Sequence, residues 1–131
     1  MHLSIVIPAY NEAESLKQLV DEIHETLQAK YEYEIIIIDD GSVDKTWSVV
    51  NKFLNKNVKA IRFRKNLGKS AALDVGFLHA SGNVVVTMDA DLQDDPKEIP
   101  ELYNMVADEE YDLVSGWKKR RLDPLSKTVP T

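Results

Sequence analysis

The sequence predicts an α/β fold with a doubly wound, mostly parallel sheet. Three observations predict it. Short β-branched runs alternate along the chain with stretches whose apolar residues recur at helical spacing. One run, Glu34-Ile35-Ile36-Ile37-Ile38, is apolar on consecutive residues, as strands covered on both faces are. The unusual polar residues collect just after the runs, where such sheets bind their ligands.

Each element follows from its own pattern. Leu3-Ser4-Ile5-Val6-Ile7 reads as the first strand, and Leu16, Leu19, Val20, Ile23 and Leu27 give the next helix one apolar face. The isoleucine run is the second strand. Trp47, Val50 and Leu54 mark a second helix. Val58 to Phe63 alternates with Lys59 and Arg62 and reads as a half-polar third strand near a sheet edge. A small-residue helix runs from about Lys69 to Ala80, stopped by Gly82. Val84 to Met88 is the fourth strand. Asp95-Pro96-Lys97-Glu98 opens a fourth helix, with Asp95 as N-cap, Pro96 at the first position and Glu98 closing a capping box. Ile99, Leu102 and Val106 supply that helix's buried face, and Asp112 to Gly116 is a fifth strand. The expectation is a Rossmann-like sheet of about five strands alternating with four helices.

Composition narrows the function. A chain of 131 residues, 44% of them apolar, fits one domain with a real core. It has no cysteine, which excludes a disulfide framework, a thiolate nucleophile and a cysteine zinc site. His2, His24 and His79 show no metal-ligand spacing. No apolar run approaches the ~20 residues that span a bilayer, and the start lacks the basic region of a signal peptide. A cytoplasmic location is compatible with this. The net charge of −6 is unevenly placed. Residues 117–131 hold five basic residues and one acid, leaving 11 basic and 21 acidic residues in 1–116. The acidic body argues against broad nucleic-acid binding. The basic tail suits phosphate, an anionic membrane surface or plain solvation.

Four segments carry chemistry. In Asp89-Ala90-Asp91-Leu92-Gln93, alternation on an extended chain puts Asp89, Asp91 and Gln93 on one side. Two carboxylates and an amide oxygen are hard ligands for Mg²⁺ or Mn²⁺, with phosphate oxygens and water completing an octahedron. A calcium loop of the EF-hand type is excluded, because Asp94 and Pro100 stand where it needs Gly and Glu. Asp39-Asp40-Gly41-Ser42 ends the isoleucine strand. Gly41 permits a turn with positive φ, Ser42 or Asp44 suits a helix cap, and a carboxylate there can meet a base or ribose. Asn66-Leu67-Gly68-Lys69 places a cation near a helix N-terminus without the full phosphate-loop pattern. Pro8-Ala9-Tyr10-Asn11-Glu12 sets an aromatic ring and an acid at the first strand–helix turn, where Asn11 also suits an N-cap.

Taken in order, these four motifs resemble a family 2 glycosyltransferase of the GT-A fold, and the resemblance covers essentially the whole chain. Gln93 and the tail Gly116-Trp117-Lys118-Lys119-Arg120-Arg121-Leu122-Asp123 are similar to the branch that glycosylates polyprenyl phosphates. The resemblance implies a nucleotide-sugar-binding GT-A core in 1–116. In 117–131 it implies a basic segment leading to an acceptor and membrane-proximal part. Pro8, Tyr10, Asn11, Glu12, Asp39, Asp40, Lys69, Asp89 and Ala90 would frame the nucleotide, and Asp91, Gln93 and Asp89 would hold the metal. Asp89, Asp91, Arg120 and Arg121 would act in catalysis, the arginines on phosphate near the acceptor. The implied reaction is inverting and metal-dependent, from a GDP- or UDP-linked sugar donor to a polyprenyl phosphate. The implied setting is the cytoplasmic face of a membrane. Because the chain stops at Thr131, soon after the fifth strand, a truncated fragment is expected, with exposed apolar surface that favours homo-oligomers.

Two rival readings stand beside this one. A phosphoacceptor receiver domain would use Asp39, Asp40, Asp89 and Lys118, but its acid pair follows its first strand, and here a strand and a helix come before the pair. The other rival is a fragment that binds nucleotide sugar without turnover.

Overall fold

The computed structural model describes the backbone of residues 2–109 and 113–114, and the side chains of residues 3–106. In chain order the elements are β1 (His2–Ala9), α1 (Ala13–Leu27), β2 (Glu32–Asp39), α2 (Thr46–Asn51), β3 (Val58–Arg62), α3 (Lys69–His79), β4 (Val84–Thr87), a 3₁₀ turn (Pro96–Glu98), α4 (Ile99–Glu109) and β5 (Leu113–Val114). The strands form one parallel sheet in the order β3-β2-β1-β4-β5. The alternating pattern is therefore realised as a doubly wound sheet, with β3 at one edge. From β1 the chain first builds toward β3 and then returns to add β4 on β1's other side. The order reverses between β1 and β4, and that crevice is where such sheets place ligands.

The core explains why the isoleucine run is continuous. Ile35 and Ile37 face the larger cluster, with Leu16, Leu19, Ile23 and Leu27 of α1, Val50 of α2 and Ile99, Leu102 and Val106 of α4. Ile36 and Ile38 face a smaller cluster with Ala72 of α3, joined by Ile61, Phe63 and Val75. All four isoleucines are fully buried. Each such side chain contributes about 1.5–3 kcal/mol of transfer free energy, so β2 anchors the sheet from both faces. On the second face α3 sits close. A Cβ at Gly76 would lie 2.3 Å from Val6 Cγ1, so this helix position admits only glycine without movement.

Two expectations are corrected here. The second helix stops at Asn51 and does not reach Leu54, which is 42% exposed. Lys52 N–H and Phe53 N–H bond back to Val49 and Val50 carbonyls, and Asn55 Oδ1 accepts the Asn57 and Val58 N–H groups, bending the chain into β3. The fourth helix begins not as a regular α turn but as a 3₁₀ turn. Asp95 Oδ1 takes the Lys97 N–H, as a capping acid should, but Glu98 N–H bonds the Asp95 carbonyl three residues back. The ends expected for the fifth strand, at Asp112 and Gly116, lie outside the described residues.

At the amino end of the sheet, the buried Glu34 joins three strands. Its Oε2 accepts the Ser4 hydroxyl at 2.6 Å, the Ser81 N–H at 2.7 Å and the Ser81 hydroxyl at 2.9 Å. Its Oε1 lies 2.9 Å from Lys59 Nζ. Burial pushes this carboxyl up, but the hydrogen bonds outweigh it and hold it at about 2.

Candidate functional site

The loops that leave the carboxyl ends of β1, β2, β3 and β4 meet around a cavity of about 320 Å³. It is lined by Pro8, Ala9, Tyr10, Glu12, Asp40, Lys69, Asp89, Ala90 and Asp91. These residues lie far apart in sequence, and the β1/β4 reversal brings them together. A larger groove of about 1130 Å³ lies at the opposite, amino end of β2 and β3. It mixes exposed Lys30 and Lys56 with Glu32 and Asn55 and lacks the convergent acids of the smaller cavity. We place the candidate site at the smaller one.

The β1 and β2 loops are stitched together. Asn11, at φ 54°, adopts the left-handed conformation that asparagine tolerates. Its N–H donates to Ser42 Oγ at 2.8 Å, and its Oδ1 accepts the Val43 N–H at 3.0 Å. Glu12 N–H donates to Thr46 Oγ1 at 3.0 Å, and Asp44 Oδ1 accepts the Thr46 N–H. Asn11 thus ties loop to loop and does not line the cavity, whereas Tyr10, 45% exposed, stands at its rim. Asp44, not Ser42, bonds the first turn of α2, and the residue before α1 is Glu12 and not Asn11.

The acid pair divides by strand alternation. Asp39 is fully buried and faces away from the cavity; its Oδ1 accepts the Ser42 N–H, and its Oδ2 has no hydrogen-bond partner among the described residues. Asp40 lines the cavity wall. Its carboxylate accepts Leu67 N–H at 2.7 Å, Gly68 N–H at 3.1 Å and Asn66 Nδ2 at 3.0 Å. Lys69, the first residue of α3, reaches across the cavity, its Nζ 2.6 Å from Asp89 Oδ1.

The acidic segment after β4 is not extended, which corrects the alternation argument. It turns at Ala90-Asp91-Leu92, with Leu92 at φ 67°. The turn is fixed by Asp94, a buried carboxylate whose Oδ2 accepts the Asp89 N–H at 2.9 Å, and by Asp91 Oδ1, which accepts the Gln93 N–H at 3.1 Å. As a result Asp89 and Asp91 line the cavity and the exposed Gln93 does not. A left-handed leucine costs roughly 1–2 kcal/mol, and strain of this kind concentrates at functional loops.

Sequence reasoning missed three residues that shape the site. Ser15 Oγ lies 2.6 Å from the Ala90 carbonyl oxygen and 3.1 Å from Glu12 Oε1, so its one proton ties α1 to the acidic turn. Asn66 and Asp94 were visible only as parts of motifs. A serine in the first turn of a helix did not signal this contact, because its partner is 75 residues away. Arg120, Arg121 and the rest of the basic segment 117–131 lie outside the described residues.

The cavity lining is rich in the hard oxygen donors that divalent cations take. Four of the lining residues are carboxylates and one, Lys69, is a cation. Asp40 is answered by N–H donors and Asp89 by Lys69, while Asp91 is exposed and accepts the Gln93 N–H. Among the described residues no three His, Cys, Asp or Glu side chains form a closed metal cage. Two carboxylates plus ligand phosphates and water is a set that Mg²⁺ or Mn²⁺ takes; of the three residues the sequence offers for it, Asp89 and Asp91 line the cavity and Gln93 does not. Among the described residues no helix is long and apolar enough to cross a membrane.

Comparison with known proteins bears on this geometry. The model of the family described as "Glycosyl transferase family 2" matches residues 4–130. The chain is 42% identical over 125 residues to an undecaprenyl-phosphate 4-deoxy-4-formamido-L-arabinose transferase of Proteus mirabilis, covering 92% of this chain and 38% of the relative. It is 36% identical over 129 residues to a dodecaprenyl-phosphate galacturonate synthase of Rhizobium johnstonii, covering 95% and 38%. It therefore spans 38% of the length of these curated relatives. Among solved structures, the mannosyltransferase PcManGT of Pyrobaculum calidifontis, in complex with GDP-Man and Mn²⁺, matches with a TM-score of 0.71 at 25% identity, over 80% of this chain and 32% of that one. S. aureus TarS 1-349 in complex with UDP matches with a TM-score of 0.71 at 25% identity, over 84% and 33%. The sheet is thus that of the GT-A glycosyltransferases.

Proposed function

The chain belongs to glycosyl transferase family 2, and from that premise we propose that it forms the donor-binding half of an enzyme that transfers a sugar from a nucleoside-diphosphate carrier to a polyprenyl phosphate. The observation that carries the reading is the cavity at the β1/β4 reversal, where four carboxylates face one lysine. A site so rich in negative charge needs a cation before it can receive a diphosphate, because unpaired like charges at close range repel.

In this reading Tyr10 offers a ring to the base, and Pro8 and Glu12 border the same end. Asp91 and Asp89 hold Mg²⁺ or Mn²⁺. When bound, the ion supplies Lewis-acid neutralisation of the charge that develops on the departing diphosphate. Lys69 exchanges its pairing with Asp89 for the diphosphate. The relatives named for polyprenyl phosphates support the acceptor class, and structures holding GDP-Man and UDP support the donor class without choosing the base. A polyprenyl phosphate is already an anion, so its attack on the anomeric carbon from the face opposite the diphosphate needs no strong protein base. The basic segment with Arg120 and Arg121 would meet that acceptor at a membrane surface.

The test is calorimetric titration of UDP, GDP and their sugars, with Mn²⁺ and again with EDTA. The reading predicts metal-dependent binding that prefers one base. Metal-independent binding of equal strength would contradict it.

A further inference from the structure

One stretch of the chain breaks its acidic character. Of the 11 basic and 21 acidic residues in 1–116, residues 51–73 hold seven and none. This stretch forms and flanks β3, the edge strand of the sheet. Three of its cations have partners. Lys59 pairs with Glu34, Lys69 with Asp89, and the Arg62 guanidinium lies 5.4 Å from the centre of the Trp47 ring. The other four, Lys52, Lys56, Arg64 and Lys65, are exposed, and no carboxylate among the described residues lies within 4 Å of any of them. They stand beyond both ends of the strand. Lys56 borders the groove at its amino end, and Arg64 borders a cavity of about 220 Å³ at its carboxyl end. Two leucines of the same stretch also face water: Leu54, between Lys52 and Lys56, is 42% exposed, and Leu67, between Lys65 and Lys69, is 53% exposed.

Charges that only keep an edge strand from pairing can be of either sign. Here not one is acidic, and they continue past the strand on both sides. We propose that the β3 edge is a docking surface for an anionic phospholipid bilayer. Lys52, Lys56, Arg64 and Lys65 meet headgroup phosphates, and Leu54 and Leu67 enter the headgroup layer. A nucleic acid gains nothing from the leucines, and the acids over the rest of the body repel a long polyanion. A bilayer approached edge-on meets only the basic stripe. The choice of lipid rests on the reading of the chain as part of a transferase to polyprenyl phosphate, an acceptor whose hydrocarbon tail lies in a membrane. The stripe is separate from the basic segment 117–131 in sequence.

Co-flotation with phosphatidylcholine vesicles, with and without phosphatidylglycerol, tests the proposal on the 131-residue chain. The chain should bind only the anionic vesicles, and raising the salt to about 0.5 M should weaken binding by more than about tenfold. Lys52→Glu/Lys56→Glu and Arg64→Glu/Lys65→Glu should each weaken it by about twentyfold or more. These pairs lie at opposite ends of the strand, so one still decides the matter if the other unfolds. Lys17→Glu/Lys97→Glu, the same charge change outside the stripe, should cost less than about threefold, because screening confines the effect to nearby charges. Leu54→Ser should weaken binding by about threefold. No flotation, or equal flotation with neutral vesicles, would overturn the proposal. So would unchanged binding in both stripe variants, which would assign the contact to 117–131, present in every variant. Salt-sensitive self-association without lipid, lost in the same variants, would overturn it in favour of the acidic face of a second copy. Titration of UDP and GDP with Mn²⁺ on the same samples separates the two readings. Stripe-dependent flotation without nucleotide binding leaves the docking surface and removes the transferase reading; nucleotide binding without flotation does the reverse.

Discussion

Replacing Glu34 by Gln tests how the sheet is held at the end away from the site. Glu34 is 6% exposed and accepts hydrogen bonds from Ser4 and, twice, from Ser81, with Lys59 beside it. Its ordinary value of 4.5 falls to about 2 in the fold. At about 1.4 kcal/mol for each tenfold change in proton affinity, that difference is worth about 3 kcal/mol. Lys59 is half exposed and its share is screened, so we expect about 2–3 kcal/mol. Because the folded value lies below the unfolded one, this stabilisation is complete above about pH 4.5 and is lost as the pH falls through about 2. Urea denaturation of wild type and Glu34→Gln across this range is the assay. The gap between them should be about 2–3 kcal/mol at neutral pH and should narrow toward zero near the folded value. A gap of the same size at both ends would mean that shape, not charge, holds the joint. A gap under about 0.5 kcal/mol at neutral pH, the level of an ordinary surface substitution, would refute the account of Glu34 altogether.

The remaining predictions concern packing and the site. Gly76→Ala should destabilise the fold by about 1–3 kcal/mol, read from thermal melts, because its Cβ meets the buried Val6; adding Val6→Ala should recover part of the loss. Ser15→Ala removes the tie to the Ala90 carbonyl and should weaken Mn²⁺–nucleotide binding by about three- to tenfold, with a melting temperature close to wild type. Asp91→Asn should abolish metal-dependent nucleotide binding and leave the far-ultraviolet dichroism unchanged; undiminished affinity would remove Asp91 from the metal set.

Much of the framework was legible in the sequence because its causes are local or periodic. The isoleucine run of β2 reads as buried on both faces because it is, and Leu16 to Leu27 reads as one face because α1 packs only one. The half-polar pattern of β3 matches its edge position. What was illegible depends on partners distant in sequence or on a single dihedral angle. Leu54 keeps helical spacing with Trp47, yet the Asn55 side chain captures the Asn57 and Val58 amides and ends the helix early. Gln93 belongs to the acidic motif by alternation, yet the left-handed Leu92 swings it away from the cavity. Asp39 and Asp40 look equivalent as letters. Both are buried, but only Asp40 lines the cavity, and the donors on it are 26 to 28 residues away.

The central claim is that a metal–nucleotide complex sits at the β1/β4 reversal. The most direct test is paramagnetic broadening of amide resonances by substoichiometric Mn²⁺, with UDP and then with GDP. The account predicts broadening centred on Ala90 and Asp91, extending to Tyr10 and Lys69 and dependent on nucleotide, with Tyr33 and Asn57 in the opposite groove untouched. Broadening centred on that groove, or the same weak effect on exposed acids all over the chain, would contradict it.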